Sequence, residues 1–435
     1  MKYFLAIDIG ASSGRHIIGY KENNELKTVE VYRFLNSIEE ACGHLVWTLD
    51  MLLSHVKVGI KIALSKYKIE SMSIDTWGVD YVLMNGTKEI LPCFSYRDNR
   101  TKDIINEVHN IISFDKLYEI TGSQFQEFNT IYQLYKDKKD GRLNNATSFL
   151  HIPEFLMYKL TGVMVHEYTN ASTTGLLDGK TYDYSNYIIE KLGFKKELFT
   201  KLYKPGFVLG AFTKEVEDEV GGSIKVVLCP THDTASAVEG IPFLKNAPYI
   251  SSGTWSLLGI KTDKVINPKE ARLANYSNEY GPNYIRFQKN IMGLWIIQRL
   301  SKEMNLSFDK MVELARTSTY EETYDVNDIV FLSSLNMKDA IRKWYVDHKK
   351  DVPILDKDYI NATYVSLAKS YRDATGELEK IMNTKYDSLY IVGGGAKNKY
   401  LNELTEKYTG KLVIALPIEA TAIGNLLSQM EANNA

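Results

Sequence analysis

Asp233 is the residue with the most chemical promise in this chain. It lies in Pro230-Thr231-His232-Asp233-Thr234-Ala235-Ser236-Ala237-Val238, directly after the apolar run Lys225-Val226-Val227-Leu228. That run reads as a buried strand, Pro230 ends it, and the small residues that follow read as the first turn of a helix. A carboxylate just past a strand end, near a helix N-terminus, stands where parallel α/β sheets gather their ligands. The same position also suits Asp233 or Thr231 as a plain helix cap, and these residues alone leave both readings open.

Four other stretches carry side chains suited to ligand work. In Asp8-Ile9-Gly10-Ala11-Ser12-Ser13-Gly14-Arg15, the two glycines let the backbone bend close to a ligand. Ser12 and Ser13 add hydroxyl donors, and successive N–H groups can form an anion nest. The spacing is not a P-loop, because no Lys-Ser/Thr pair follows; an ordinary serine hairpin is the alternative. Asp75-Thr76-Trp77-Gly78-Val79-Asp80 offers carboxylates for hydroxyl groups and the Trp77 ring for a sugar face, or else a solvated β-turn. In Tyr96-Arg97-Asp98-Asn99-Arg100, paired guanidinium groups suit phosphate or carboxylate, or form a surface ion cluster. Gly393-Gly394-Gly395, between a strand and a helix, brings backbone N–H groups to a ligand or serves tight packing.

The elements that must position these residues follow from periodicity. Tyr3–Ile7 and His16–Tyr20 flank the first turn as strands. Thr48–Lys68 carries a helical apolar stripe through Leu49, Leu52, Leu53, Val56, Ile60 and Leu64. Ser71–Ile74 and Tyr81–Met84 read as strand-turn-strand around Asp75–Asp80. Phe155–Gly162 reads as a helix ending at its glycine. Pro242–Pro248, with two prolines, is the best domain boundary and divides the chain into residues 1–242 and 243–435. Tyr249–Ile260 repeats the opening pattern of strand, Gly/Ser/Thr turn and strand, a faint echo of duplication. Lys289–Gln298 reads as an apolar helix start, Tyr386–Val392 and Leu412–Ile414 as strands, and Glu419–Asn425 as the start of the last helix.

Composition narrows the class. At 435 residues the chain is too long for one core, so two domains are expected. A formal net charge of −2 supplies no basic excess for nucleic acid. No apolar run approaches the roughly 18 residues of a membrane span, and the N-terminal apolar run is interrupted by Asp8, unlike a signal peptide. Cys42, Cys93 and Cys229 form neither a CxxC pair nor an even framework, which fits buried thiols in a reducing cytoplasm.

Taken in order, these stretches resemble the FGGY carbohydrate kinases of the actin-like ATPase superfamily. Tyr96-Arg97-Asp98, Ser251-Ser252-Gly253-Thr254-Trp255-Ser256, Lys289-Asn290-Ile291-Met292-Gly293-Leu294-Trp295 and Glu419-Ala420-Thr421-Ala422-Ile423-Gly424-Asn425 complete the match. The Ala-Ser-Ser-Gly-Arg turn and the Asn-Ile-Met-Gly-Leu-Trp stretch point to the branch of that family acting on L-rhamnulose. The resemblance implies an α/β fold of two actin-like ATPase (ribonuclease H-like) domains with an interdomain active-site cleft, the first taking sugar and the second nucleotide. It implies ATP and Mg²⁺, a small sugar, a cytoplasmic monomer or homodimer, and domains that close on the substrate. Asp233 would be the general base, taking the proton from the sugar's primary hydroxyl as that oxygen attacks the γ-phosphate. Gly78, His232, Thr234 and Asn290 would contact the sugar, joined by Trp77 and Arg97. Ala11, Ser12, Ser13, Gly14, Arg15, Thr254, Gln298, Gly394, Gly395 and Asn398 would hold the nucleotide. Asp8 would orient Mg²⁺ through water. A kinase of the same family for fuculose, xylulose or glycerol is the rival within it. A non-catalytic actin-like ATP-binding protein would share both hairpins but has no reason to carry Asp233 beside Thr76-Trp77-Gly78.

Overall fold

The computed structural model describes the whole chain except residues 243–246, 333, 335, 417 and 418. It divides into two compact units. One comprises Met1–Pro242, Thr262–Phe287 and Ala420–Ala435; the other comprises Phe243–Lys261 and Gln288–Glu419. The first unit is therefore discontinuous in sequence. Most of the proline-bounded segment expected as the linker, residues 243–246, lies outside the described residues.

The first unit is built on a six-stranded sheet. In chain order its strands are β1 (Tyr3–Ile9), β2 (Ser13–Glu22), β3 (Glu25–Leu35), β4 (Ile69–Thr76), β5 (Val208–Gly210) and β6 (Lys225–Val227), and across the sheet they run β5-β6-β4-β1-β2-β3. β1, β4 and β6 are mutually parallel neighbours, so their carboxyl ends reach the same edge. Both faces of β1 are covered, which is why the strand is apolar almost throughout. Leu5, Ile7 and Ile9 pack with Leu52, Val56 and Ile60 of helix α1 (Leu49–Leu64). Phe4 and Ala6 on the other face pack with Ala422, Leu426 and Met430 of the C-terminal helix Ala420–Ala432. That helix also meets the helix Asp233–Glu239 at backbone contact: a Cβ on Gly424 would lie 1.8 Å from the Ser236 carbonyl oxygen. Only glycine admits this approach.

The second unit contains the strand order β9-β8-β7-β10-β11, from β7 (Tyr249–Ser252), β8 (Trp255–Thr262, in this unit up to Lys261), β9 (Ile285–Met292, in this unit from Gln288), β10 (Ser388–Val392) and β11 (Leu412–Ala415). β7 and β8 form the expected antiparallel hairpin, and β10 runs parallel to β7 and β11.

Three expectations change. Ile69–Thr76 and Tyr81–Asn85 are not a hairpin: the former belongs to the central sheet, while the latter pairs with Ser148–His151 and Lys88–Ile90 in a separate sheet. The two strands are too apolar for their pairing to be read locally. Lys289–Met292 ends strand β9, and the helix begins only at Trp295. Gly293 breaks the run because its Cα lies against backbone; a Cβ there would meet the Trp255 carbonyl carbon at 2.6 Å. Cys93 and Cys229 are buried, but Cys42 is exposed. Among the described residues no helix is long and apolar enough to cross a membrane.

Candidate active site

Three carboxylates meet at the carboxyl edge of the first sheet. Asp8 ends β1 and stands in register with Asp75 of β4. Thr76, the next residue, bridges in parallel to His232, and its N–H donates to the Thr231 carbonyl at 2.9 Å. The strand ends thus bring Thr76-Trp77-Gly78 and His232-Asp233-Thr234 together. Asp233 is the first residue of its helix, and His232 occupies the cap position without a side-chain cap bond. Asp233 Oδ1 accepts from Thr234 Oγ1 at 3.1 Å and lies 3.4 Å from His232 Nε2. Neither Asp233 nor Thr231 caps the helix, so the plain-cap reading falls.

Burial holds the Asp233 carboxyl above the usual carboxylate range, opposed by His232 and reinforced by Asp8. Burial and then Asp8 push Asp75 well above that range, and the Asn425 amide only partly offsets them. Asn425 Nδ2 donates to Asp75 Oδ2 at 2.6 Å, while Asp75 Oδ1 has no partner. Asp8 is paired with Arg15, whose Nε and Nη2 reach Oδ2 at 3.0 and 2.8 Å. The turn between them is braced by Asn36, which donates from Nδ2 to the Gly10 carbonyl at 2.9 Å and from its backbone to the Ser12 carbonyl at 3.0 Å. Gly14 lies flat against the Phe34 ring, where a Cβ would come within 2.2 Å.

The Asp75–Asp80 stretch differs from the expected pocket edge. Asp80 is fully buried and accepts from Trp47 Nε1 (2.7 Å), Trp77 Nε1 (2.9 Å), Tyr96 N (3.1 Å) and, on its other oxygen, Gln133 Nε2 (3.1 Å). Burial raises its pKa to about 6 despite these donors. Neither Asp75 nor Asp80 is a solvated turn residue, and Asp80 is committed to fixing two indoles rather than a ligand. Trp77 rests on Trp47, with ring centroids 4.1 Å apart. Val79 holds a φ of +65°, which a β-branched residue adopts only when its surroundings impose it. Thr173 Oγ1 accepts its N–H at 3.2 Å, and Thr130 donates to its carbonyl at 2.7 Å. Gly78 is needed beside it, since a Cβ would approach Thr173 Oγ1 to 2.9 Å.

Arg97 and Arg100 do not act as a pair. Arg100 is buried in an ion pair with Asp137 at 2.6 Å, while Arg97 lies over the Tyr96 ring at 5.3 Å. Glu167 was invisible in the sequence. It is fully buried and accepts from Thr231 N (3.1 Å), Thr231 Oγ1 (2.8 Å), Thr169 N (2.8 Å) and Asn170 N (3.0 Å). It ties the loop carrying Asp233 to the cap of another helix. Only its capping of Tyr168–Ala171 has a local signal.

The second unit assembles a different cluster. The Gly253 carbonyl accepts from Leu294 N at 2.9 Å and the Thr254 carbonyl from Trp295 N at 3.2 Å, so the helix Trp295–Met304, with Gln298 in its first turn, starts on the hairpin turn. Gly395 lies over Ser252, where a Cβ would come within 1.9 Å of Oγ. Gly394 opens the 3₁₀ turn Gly394–Lys397. Asn398 caps the helix Lys399–Thr409, accepting from Leu401 N at 3.0 Å, and gives its amide to Tyr364 at 3.1 Å. Asn290 belongs to this unit, with a buried Oδ1 that has no partner.

The N-terminal domain of the FGGY family of carbohydrate kinases matches residues 3–240, and its C-terminal domain matches residues 248–432. A protein named rhamnulokinase from Oceanobacillus iheyensis is 41% identical over 98% of this chain and 93% of its own length. One from Halalkalibacterium halodurans is 42% identical over 99% and 94%. One from Bacillus subtilis is 39% identical over 99% and 90%. Among solved structures, a ligand-bound xylulose kinase from Lactobacillus acidophilus superposes with a TM-score of 0.82 at 17% identity, covering 100% of this chain and 90% of its own. A gluconate kinase from the same organism gives 0.81 at 17%, covering 100% and 89%. At such identities these two speak for the fold, which is that of the sugar kinases. Two domain matches that together span nearly the whole chain mean that it belongs to the FGGY family of carbohydrate kinases.

Proposed function

We propose that this chain transfers the γ-phosphoryl group of ATP to the primary hydroxyl of L-rhamnulose, giving L-rhamnulose 1-phosphate, in the cytoplasm. The observation that carries the chemistry is Asp233, a carboxylate held above its usual pKa range beside Thr76-Trp77-Gly78. A base whose proton affinity is raised takes a proton more readily than an ordinary carboxylate. The substrate follows from the relatives named rhamnulokinase at about 40% identity over nearly full length.

In this reading Asp233 accepts the hydroxyl proton as the oxygen attacks in line. Gly78, His232, Thr234 and Asn290 contact the sugar, with Trp77 and Arg97 beside them. Ala11 to Arg15, Thr254, Gln298, Gly394, Gly395 and Asn398 serve the nucleotide. The glycines let backbone N–H groups approach phosphate oxygens, and the Ser12, Ser13 and Thr254 hydroxyls add donors. A divalent cation would suit the charge at this edge: Asp8 raises the charge cost of Asp75 and Asp233, Asp75 Oδ1 is unpartnered, and Arg15 is the cation paired with Asp8. Asp8 would hold Mg²⁺ through water, and the ion would supply charge neutralisation at the phosphates.

ADP release coupled to a spectrophotometric readout, across L-rhamnulose, L-fuculose, D-xylulose and glycerol, tests the reading. The highest kcat/KM is expected with L-rhamnulose. A higher value for any of the other three would overturn the substrate.

A further inference from the structure

Arg286 is wholly buried, with a side chain 0% exposed, close behind the residues at the head of the Asp233 helix. A guanidinium only donates hydrogen bonds and keeps its charge at any pH a protein meets. Its Nη2 donates to His232 Nδ1 at 3.2 Å and to the Tyr280 carbonyl at 3.4 Å, and lies 3.1 Å from Glu279 Oε2. Its Nε and Nη1 have no protein partner. Glu279, also buried, balances the charge. Glu279 Oε2 lies 3.2 Å from His232 Nδ1, but without hydrogen-bond geometry. The hydrogen bond at Nδ1 is thus the one from Arg286.

A nitrogen that accepts from a guanidinium carries no proton of its own. In a neutral ring the proton then sits on the other nitrogen, Nε2, the one 3.4 Å from Asp233 Oδ1. The opposite tautomer would set a lone pair against that carboxylate. Thr234 Oγ1 donates to the same Oδ1. We infer that Arg286, neutralised by Glu279, is a positioning residue that fixes His232 as its Nε2–H tautomer, so that the ring turns a positive N–H edge, in electrostatic contact rather than a hydrogen bond, towards the Oδ1 of Asp233 that already accepts from Thr234, and leaves Oδ2 as the proton acceptor. The inference rests on Asp233 being the base. Arg286 reaches the reacting atoms only through His232.

Long-range ¹H–¹⁵N correlation spectra of the full-length protein, labelled at histidine, read the tautomer directly, with His232 assigned by its loss in His232→Gln. The expected result is a pyridine-type Nδ1 and a pyrrole-type Nε2. A proton on Nδ1, or on both nitrogens, overturns the inference, whether or not Arg286→Met folds. Kinetics adds a second readout. Arg286→Met is expected to lower kcat about tenfold with KM for ATP unchanged. In a His232→Gln background, whose amide presents an N–H without a tautomer to set, the same change should cost less than about twofold. A tenfold loss in both backgrounds would make Arg286 merely structural. Failure of the base assignment shows separately, as near-normal kcat in Asp233→Asn.

Discussion

Two buried carboxylates, one in each unit, behave in opposite ways. Glu379, in the second unit on the helix Asp356–Met382, has a side chain 6% exposed. Burial alone would raise its pKa, yet Lys385 at 2.7 Å, Lys411 and the Tyr386 N–H at 3.1 Å outweigh it and pull the group down to about 2. Asp233 in the first unit has a hydroxyl on one oxygen and an imidazole nearby, and its pKa is raised. Asp75 is raised further still. The fold can neutralise a buried carboxylate when stability is the purpose. At the carboxyl edge of the first sheet it leaves acids under-compensated, which is where groups with perturbed proton affinity mark a working site.

The largest expected effect breaks the comparison at its reactive end. On the proposed reading of Asp233 as general base, Asp233→Asn should lower kcat by about 10² to 10⁴-fold, while the melting temperature stays near that of the parent. Steady-state kinetics and calorimetry on the same sample decide it; a stable protein with near-normal kcat would place Asp233 outside the chemistry.

Glu379→Gln tests the other end. Removing one partner of a buried ion pair strands Lys411, whose side chain is 10% exposed, and the expected loss is on the order of 3 kcal/mol in urea unfolding at neutral pH. The kcat should not move. The folded-state pKa lies below the unfolded value of about 4.3, so this stabilisation is present above that pH and is lost as pH falls towards 2. The gap between variant and parent should close in acid.

The smallest effect has the opposite sign. Asp75 binds its proton more tightly folded than unfolded, so its ionisation costs stability as pH rises above about 3.9, the unfolded value. Asp75→Asn keeps an acceptor for Asn425 and removes the charge. It should melt a few degrees higher than the parent at pH 7 to 8, with the advantage vanishing near pH 4. Equal melting curves at both pH values would mean that Asp75 is not an uncompensated charge.

Local pattern determined a good deal. The two glycine-bearing hairpins, the α1 stripe, the helix stop at Gly162 and the strand before Asp233 could all be read from residue periodicity and turn chemistry. These features depend on neighbours a few positions away, and a sequence displays such neighbours directly. Even there, Lys289–Met292 misled, because an apolar run does not say whether it is strand or helix. What the carboxylates mean was decided only by the folded chain. Asp75 meets Asn425 across 350 residues, and Thr231 meets Glu167 across 64. Arg100 is taken up by Asp137 and so leaves Arg97 without it. Burial and partnership set the charge cost of each acid, and both depend on which distant elements pack together. The sequence could therefore name Asp233, but only the tertiary structure decided that Asp80 fixes two indoles while Asp233 stays under-compensated.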